Sequence, residues 1–315
     1  MKRILFLASV LLCNALFMPL NAGAADVYPS KSIKVIVPFP PGGGADTLIR
    51  LMAPMIGEVW KQTLIIENRS GASGLIGADL VAQSPADGYT LLMGSTAAVT
   101  EKNISQFAPV ALVSASPYVV TVSPALNVNS IKALITHAKA NPGKVRFGSS
   151  GPGSASHLSG ELFASMVGVN LLHVPYKGTG QALTDLLAGH IDLMFAPAQT
   201  VMPQIDSGKL IALAQTGPKR SEALPNMPTV SEAGLTGYNS VGWFGLFAPA
   251  NTPKPIVQKI NQTVMFVLGQ EKIRKAMLDR GSDPASGSEE EFAAFLRLDQ
   301  AMWAKLIKEN KVAVH

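Results

Sequence analysis

The sequence predicts an α/β protein made of two sheet-and-helix halves, and three observations predict it. From Ile33 onward, short apolar runs alternate with segments of helical periodicity, the order of a parallel sheet covered by helices. The alternation runs twice, and two long extended segments, Val110–Pro124 and Val241–Phe247, stand where the chain can pass between halves. Each strand-to-helix junction carries glycine, proline or a small hydroxyl residue. In a parallel sheet these junctions lie at the carboxyl ends of the strands, where ligands bind.

In the first half, a strand at Ile33–Val37 precedes a helix with Leu48, Leu51, Met52, Met55, Ile56 and Val59 on one face. A strand at Leu64–Glu67, a helix over Leu75–Gln83 and a strand at Tyr89–Met93 follow. In the second half, Asn129 or Ser130 caps a helix that Asn141-Pro142-Gly143 ends. Next come a strand at Arg146–Gly148, a helix over His157–Val167 and a strand at Leu171–Val174. The half closes with a helix over Gln181–Ala188 and strands at Ile191–Phe195 and Leu210–Gln215. Beyond the second extended segment, one helix buries Ile256, Val257, Ile260, Val264, Val267 and Leu268. A last one, opened by the capping box Ser288/Glu291, carries Phe292, Phe295, Leu296, Trp303, Leu306 and Ile307 as its stripe. If both extended segments cross, the first domain is discontinuous, residues 26–120 and 248–315, and the second is 121–247.

The first 25 residues read as an export signal: Lys2 and Arg3, an apolar stretch from Ile4 to Met18, then Asn21-Ala22-Gly23-Ala24-Ala25, with cleavage expected after Ala24 or Ala25. The apolar stretch is shorter than the roughly 20 residues that span a bilayer. Cys13, the only cysteine, falls inside it, so the mature chain is expected to have no thiol or disulfide. Removing Lys2 and Arg3 from 26 basic residues leaves 24 against 21 acidic ones, a scattered excess of three that argues against nucleic acid as a partner. With 47% hydrophobic and 15% charged residues, the chain is globular.

Five loops carry the functional signal: PFPPGGGAD (Pro38–Asp46), NRSGASG (Asn68–Gly74), GSTAA (Gly94–Ala98), GSSGPGSASH (Gly148–His157) and PYKGTG (Pro175–Gly180). A helix start offers unpaired N–H groups and partial positive charge; glycine lets a ligand approach and proline stiffens the turn. A carboxylate gains roughly 1.5–3 kcal/mol per hydrogen bond to a charged group and about 0.3–2 kcal/mol from a helix end. Four such bonds reach micromolar affinity, about 8 kcal/mol, without a side-chain cation. Any one loop can be a plain chain reversal; the recurrence favours a ligand. PGGGAD lacks the Lys-Ser/Thr of a P-loop, and Gly151-Pro152-Gly153 lacks a third glycine for a dinucleotide fingerprint, so no cofactor is expected.

Ser149, Ser150, Ser154, Ser156 and His157 raise the alternative of a secreted hydrolase using Ser150 or Ser154 with His157. The chain has no G-x-S-x-G elbow and no S-x-x-K pair, which weighs against an enzyme. His157, His173 and His190 show no metal-ligand spacing, so no metal is expected. Tyr176-Lys177 can place a ring and a cation at the cleft, and Trp243 can close one side of a pocket.

VPFPPGGGAD, ENRSGASGLIGADLVAQSPADGYTLLMGS, FAPVALV, GSSGPGSASHLSGELF, HVPYKGTGQAL, GHIDLMF, GKLIALA and GWFGLFAPANTP together resemble, over essentially the whole mature chain, the Bug family of extracytoplasmic solute-binding receptors of tripartite tricarboxylate transporters. The resemblance implies a type II periplasmic binding protein whose two lobes close on a small carboxylate, a monomer that serves a membrane permease; a receptor feeding a membrane sensor is the variant. Carried over by residue, it implies ligand contacts from Pro40, Gly42, Gly43, Ala72, Ser95, Ser149, Ser150, Ser154, His157, Tyr176, Lys177 and Gly178; Ala196 and Trp243 join them as pocket candidates. Two departures from the family pattern bear on specificity. Only Ala97–Gln106 separates GST from FAPV, predicting a shorter rim, and Ala196 stands where members often have Asp, predicting a non-amino, bulkier or more aromatic acid.

Overall fold

In the computed structural model, residues 28–310 are described; the expected signal peptide and Cys13 lie outside them. Nine strands form one sheet in the order β2-β1-β3-β9-β4-β7-β5-β6, with β8 also on β4. In the first lobe β1 (Ile33–Val37) lies parallel to β2 (Leu64–Asn68) and β3 (Thr90–Gly94). In the second, β5 (Arg146–Ser149) lies parallel to β6 (Leu172–Pro175) and β7 (Leu193–Pro197).

The two extended segments pair with each other, and they do so antiparallel. The 16-residue β4 (Phe107–Val122) pairs with β9 (Val241–Pro249) along Phe107–Pro117, then with β7 and β8 (Ile211–Gln215) along Tyr118–Val122. Its outer half thus belongs to one lobe and its inner half to the other. Register shifts at Pro109/Ala111, Leu112/Ser114 and Val120/Thr121 interrupt the ladders, and such bulges bend a strand that must serve two sheets. The predicted parallel sheets therefore hold within each lobe, while the joining strands make the whole sheet mixed.

Helices cover both faces: α1 (Gly44–Trp60), α2 (Leu75–Ala82), α3 (Ile131–Ala140), α4 (Ala155–Val167), α5 (Thr179–Ala188), α6 (Ala198–Asp206), α7 (Lys254–Leu268), α8 (Glu271–Leu278) and α9 (Glu289–Asn310). α6 and α8, of nine and eight residues, fall where no helix was expected. The expected caps form. Ser130 Oγ accepts the Ala133 N–H at 3.2 Å, and Ser288 and Glu291 complete their box at 2.7 and 3.2 Å. On α1 the apolar stripe is rotated slightly from the expected one: Val59 is 44% exposed and Trp60 is buried instead.

One core lies under β1, β3 and β9, with Ile36, Leu92, Phe107, Trp243, Phe247, Phe292 and Leu296. The second lobe has a core on each face of its sheet, one around Phe147, Phe163 and Phe195, the other around Val119, Leu186 and Met194. α9 serves both lobes. Phe292 and Leu296 join the first core, whereas Trp303 and Leu306, a few turns on, pack against Leu158 of α4.

Candidate functional site

The carboxyl ends of β1, β3, β5, β6 and β7 open onto one cavity of about 370 Å3. The first lobe contributes Phe39–Ala45 and Ser95–Ala97. The second contributes Ser150, Ser154, Ala155, Gly178–Gln181, Pro197 and Thr200, and the joining strands supply Tyr118, Trp243 and Phe244. A larger hollow of about 710 Å3 between α1 and β2, lined by Arg50, Glu58 and Lys61 among others, is an open surface feature that shares no residue with the cavity.

Four helices begin at the cavity wall. α1 starts there with Gly44 and Ala45, α4 with Ala155 after its cap Ser154, α5 with Thr179–Gln181 after Gly178, and α6 after Pro197. At α1, α5 and α6 no side chain caps the first turn. The opening N–H groups of a helix have no intrahelical partner, and the dipole adds partial positive charge. None of the lining side chains is charged. An anion at these helix starts would be met by backbone N–H groups, without a charged side chain.

The loop before α1 is held in shape from behind. Asp46, 4% exposed, accepts the Gly42 N–H at 3.0 Å, and its other oxygen accepts Arg50 Nε and Asn68 Nδ2, both at 2.9 Å. Burial works to raise its pKa, but the bonds from Gly42, Asn68 and Arg50 outweigh it and hold the carboxyl below its usual range. Asn68 Nδ2 also donates to the Phe39 carbonyl at 3.1 Å. Gly42, at φ +82, supplies the left-handed turn that this closure requires.

The loop before α4 rests on two stacked imidazoles. His157 and His173 lie 3.9 Å apart, with Phe147 beneath His173 at 4.8 Å. His157 Nδ1 accepts the Gly153 N–H at 3.1 Å, which places its proton on Nε2, 3.5 Å from Glu161 Oε1. His173 Nε2 stands 2.7 Å from Ser149 Oγ, which in turn accepts the Gly151 N–H at 3.1 Å. Burial first, then the neighbouring His157, push the His173 pKa down to about 4 against the pull of Glu161, so the ring is neutral at neutral pH. Ser154 Oγ donates to the Gly151 carbonyl at 2.6 Å and caps α4 by accepting the His157 N–H at 3.3 Å. Neither ring nitrogen of His157 bonds a serine oxygen.

Of the fourteen residues singled out in sequence, Pro40, Gly42, Gly43, Ser95, Ser150, Ser154, Gly178 and Trp243 line the cavity. The other six do not. Ser149 and His157 are buried beneath the loop they support. Ala72 is exposed in the turn before α2, and Lys177 is exposed on the rim. Tyr176 turns away to donate to Asp185 Oδ2 at 2.6 Å; burial and that bond push its hydroxyl up to about 12. Ala196 sits wholly inside the second-lobe core with Val119 and Met194, so its side chain bears on packing, and only its neighbour Pro197 reaches the cavity. The short segment after β3 still delivers Ser95–Ala97 to the wall: Asn103 folds it back by accepting the Thr100 N–H at 2.8 Å and donating to the Ala98 carbonyl at 3.0 Å.

Three aromatics escaped sequence reasoning: Phe39, Tyr118 and Phe244. Alternation along β4 and β9 was the available signal, but bulges shift it. Behind the fourth aromatic, Trp243, lies a buried carboxylate: Asp299 on α9 accepts Trp243 Nε1 and Trp303 Nε1, each at 2.9 Å. Burial pushes its pKa up to about 6 against those two bonds.

The lobes meet around the cavity. A side chain at Gly178 would stand 3.7 Å from the Pro40 ring, one at Gly151 2.8 Å from Ser73 Oγ, and one at Gly44 would overlap the Gln199 amide of α6. Gly151 and Gly44 allow the two sets of loops to approach this closely, whereas a Cβ at Gly178 would make only an ordinary contact.

Known proteins share this fold. The chain is 34% identical to BugT of Bordetella pertussis over 298 residues, 91% of each chain. It is 35% identical to a protein from the tcbD–tcbE intergenic region of Pseudomonas sp. strain P51, covering 93% of this chain and 90% of that one. Among solved structures it resembles an R. palustris protein with adipate (TM-score 0.87, 35% identity, 91% and 99% of the chains) and the periplasmic binding protein BugD (0.82, 34%, 90% and 99%). It is also similar to MatC of Rhodopseudomonas palustris with bound malate (0.81, 28%, 89% and 100%). The model of the tripartite tricarboxylate transporter family receptors matches residues 48–312. With glycine-rich helix starts of two lobes facing one uncharged cavity, and with these relatives, the chain belongs to the tripartite tricarboxylate transporter receptor family.

Proposed function

We propose that this chain is a periplasmic receptor that captures a small carboxylate between its lobes and hands it to a membrane permease. The observation that carries the reading is the convergence of four helix starts on a cavity without a charged side chain. A carboxylate there replaces water on N–H groups of both lobes at once, which favours the closed state. The adipate and malate held by the two R. palustris relatives support the ligand class. On this reading the lobes are residues 26–120 with 248–315, and 121–247, the signal is cleaved after Ala24 or Ala25, and the mature chain acts as a monomer. Binding proceeds without a covalent step: Ser149 is paired with His173 but fully buried, and the other serines of that loop bond one another and the backbone.

The test is a thermal-shift screen of small carboxylic acids on residues 26–315, followed by calorimetric titration of the best acid and of its methyl ester. The acid should raise the unfolding midpoint and bind at least tenfold more tightly than the ester. If no acid stabilises the protein, or ester and acid bind alike, the anion reading fails.

A further inference from the structure

The loop between α8 and α9 is attached to the first lobe by its backbone. The Asp283 N–H donates to Ser116 Oγ of β4 at 2.8 Å, and the Ala285 N–H donates to the Val113 carbonyl at 3.0 Å. Both partners lie in the stretch of β4 that pairs with β9. The Asp283 side chain reaches across to the second lobe, where its Oδ1 accepts Ser221 Oγ at 2.9 Å and the Ala223 N–H at 3.1 Å. Those donors are fixed from behind by Gln215, the last residue of β8. Its side-chain oxygen accepts the Ser221 N–H at 2.8 Å, and its amide donates to the Leu224 and Met227 carbonyls at 2.8 and 2.6 Å. The carboxylate thus bridges two anchored backbones. β4 changes lobes right beside the anchor, since Pro117 pairs with β9 and Tyr118 with β7. A bond that spans such a pivot changes length when the lobes turn against each other. Alongside it, Arg274 of α8 donates to both oxygens of Glu222 at 3.1 and 2.9 Å, an exposed pair that adds little. The same loop packs behind α6: a Cβ on Gly281 would overlap that of Ala198, the first residue of α6, and Pro197 and Thr200 on either side line the cavity.

We propose that Asp283 is a clasp between the lobes, holding them at the angle at which the cavity binds, and that it sets affinity without touching the ligand. This rests on the two-lobe carboxylate reading and adds to it what keeps the lobes together before a ligand arrives. Asp283 lines no part of the cavity. Its influence is through population: apparent affinity scales with the fraction of molecules already in the binding geometry. Two hydrogen bonds to a carboxylate oxygen are strong enough to make that fraction large.

The experiment compares wild type, Asp283→Ala, Asp283→Asn and Ser221→Ala. Each is measured by small-angle X-ray scattering without ligand, and by scattering and calorimetric titration with the carboxylic acid that binds wild type best. Ligand-free Asp283→Ala should have a larger radius of gyration than wild type, return to the wild-type radius at saturating acid, and bind that acid about tenfold more weakly. Asp283→Asn keeps an oxygen for the same two donors and should bind within twofold of wild type. Ser221→Ala removes one donor of the two and should bind about threefold more weakly with a smaller expansion; it carries the test if Asp283→Ala does not fold. A role in stability alone would lower the unfolding midpoint and leave the ligand-free radius unchanged. The proposal is overturned if ligand-free Asp283→Ala, or Ser221→Ala in its place, keeps the wild-type radius, if that variant binds the acid within twofold of wild type or more tightly, or if Asp283→Asn binds as weakly as Asp283→Ala. If no acid binds wild type, the carboxylate reading fails, and the ligand-free radii alone decide the clasp.

Discussion

Gly44 is the position where one methyl group should separate binding from folding. It is the first residue of α1, where alanine is a better helix former than glycine by up to about 1 kcal/mol. A Cβ at Gly44, however, would overlap Gln199 Nε2 from the second lobe and stand 2.8 Å from Cε2 and Cζ of Phe244, where ordinary contact begins at 3.4 Å. The Gln199 amide can swing away, but the Phe244 ring must retreat by roughly 0.6 Å into a packed wall or the lobes must stop short of closing. Overpacking of this kind costs about 1–3 kcal/mol. If that cost falls on the closed state, affinity drops about five- to 150-fold. The assay is calorimetric titration of Gly44→Ala with the acid that binds wild type best, alongside thermal unfolding of both unliganded proteins. The midpoints should agree within a few degrees. Affinity within twofold of wild type would show that the lobes do not close through this contact.

Two further perturbations test the supporting structure. Because burial raises the Asp299 carboxyl from 3.8 to about 6, the folded chain holds that proton more tightly than the unfolded chain. Its contribution is full below about pH 4 and lost as pH rises through about 6, so wild type should lose about 1 kcal/mol from this group between pH 5 and pH 7. Asp299→Asn does not titrate; urea unfolding at both pH values should show a smaller loss for it, and equal losses would remove the assignment. Tyr176→Phe breaks the bond to Asp185 but touches no lining residue, so stability should fall by about 1 kcal/mol while ligand affinity stays within twofold, as read by urea unfolding and titration. A tenfold weaker ligand would return Tyr176 to the site.

Much of this fold was legible from residue pattern. Alternation and caps place seven of the helices and the parallel strands of both lobes, because burying one face leaves a period that can be read. The two joining strands were legible as extended runs, but their antiparallel pairing was not, since a strand buried on both faces carries no directional signal. Of the five loops that glycine and proline marked, four, those after β1, β3, β5 and β6, deliver wall residues. The loop at Asn68–Gly74 does not; its Ser73 instead faces Gly151 across the lobes. Tyr176, Lys177 and Ala196 show the limit of spacing. Each stands within two residues of a wall residue in sequence, yet a hydrogen bond turns Tyr176 to Asp185, Ala196 packs into the core, and Lys177 is exposed. Asp299 was hidden because a carboxylate within an apolar stripe reads as an exposed break until the two indoles that bond it are placed.

The placement of α9 bears on how this protein can be taken apart. Its Trp303 and Leu306 shelter Leu158, a residue contributed by the chain segment between the two joining strands. Excising that middle segment as a stand-alone module would leave an oily strip facing water, and trimming the tail would do the same from the other side. Fusion partners and permuted ends therefore belong in surface loops, with this final helix left attached to both halves.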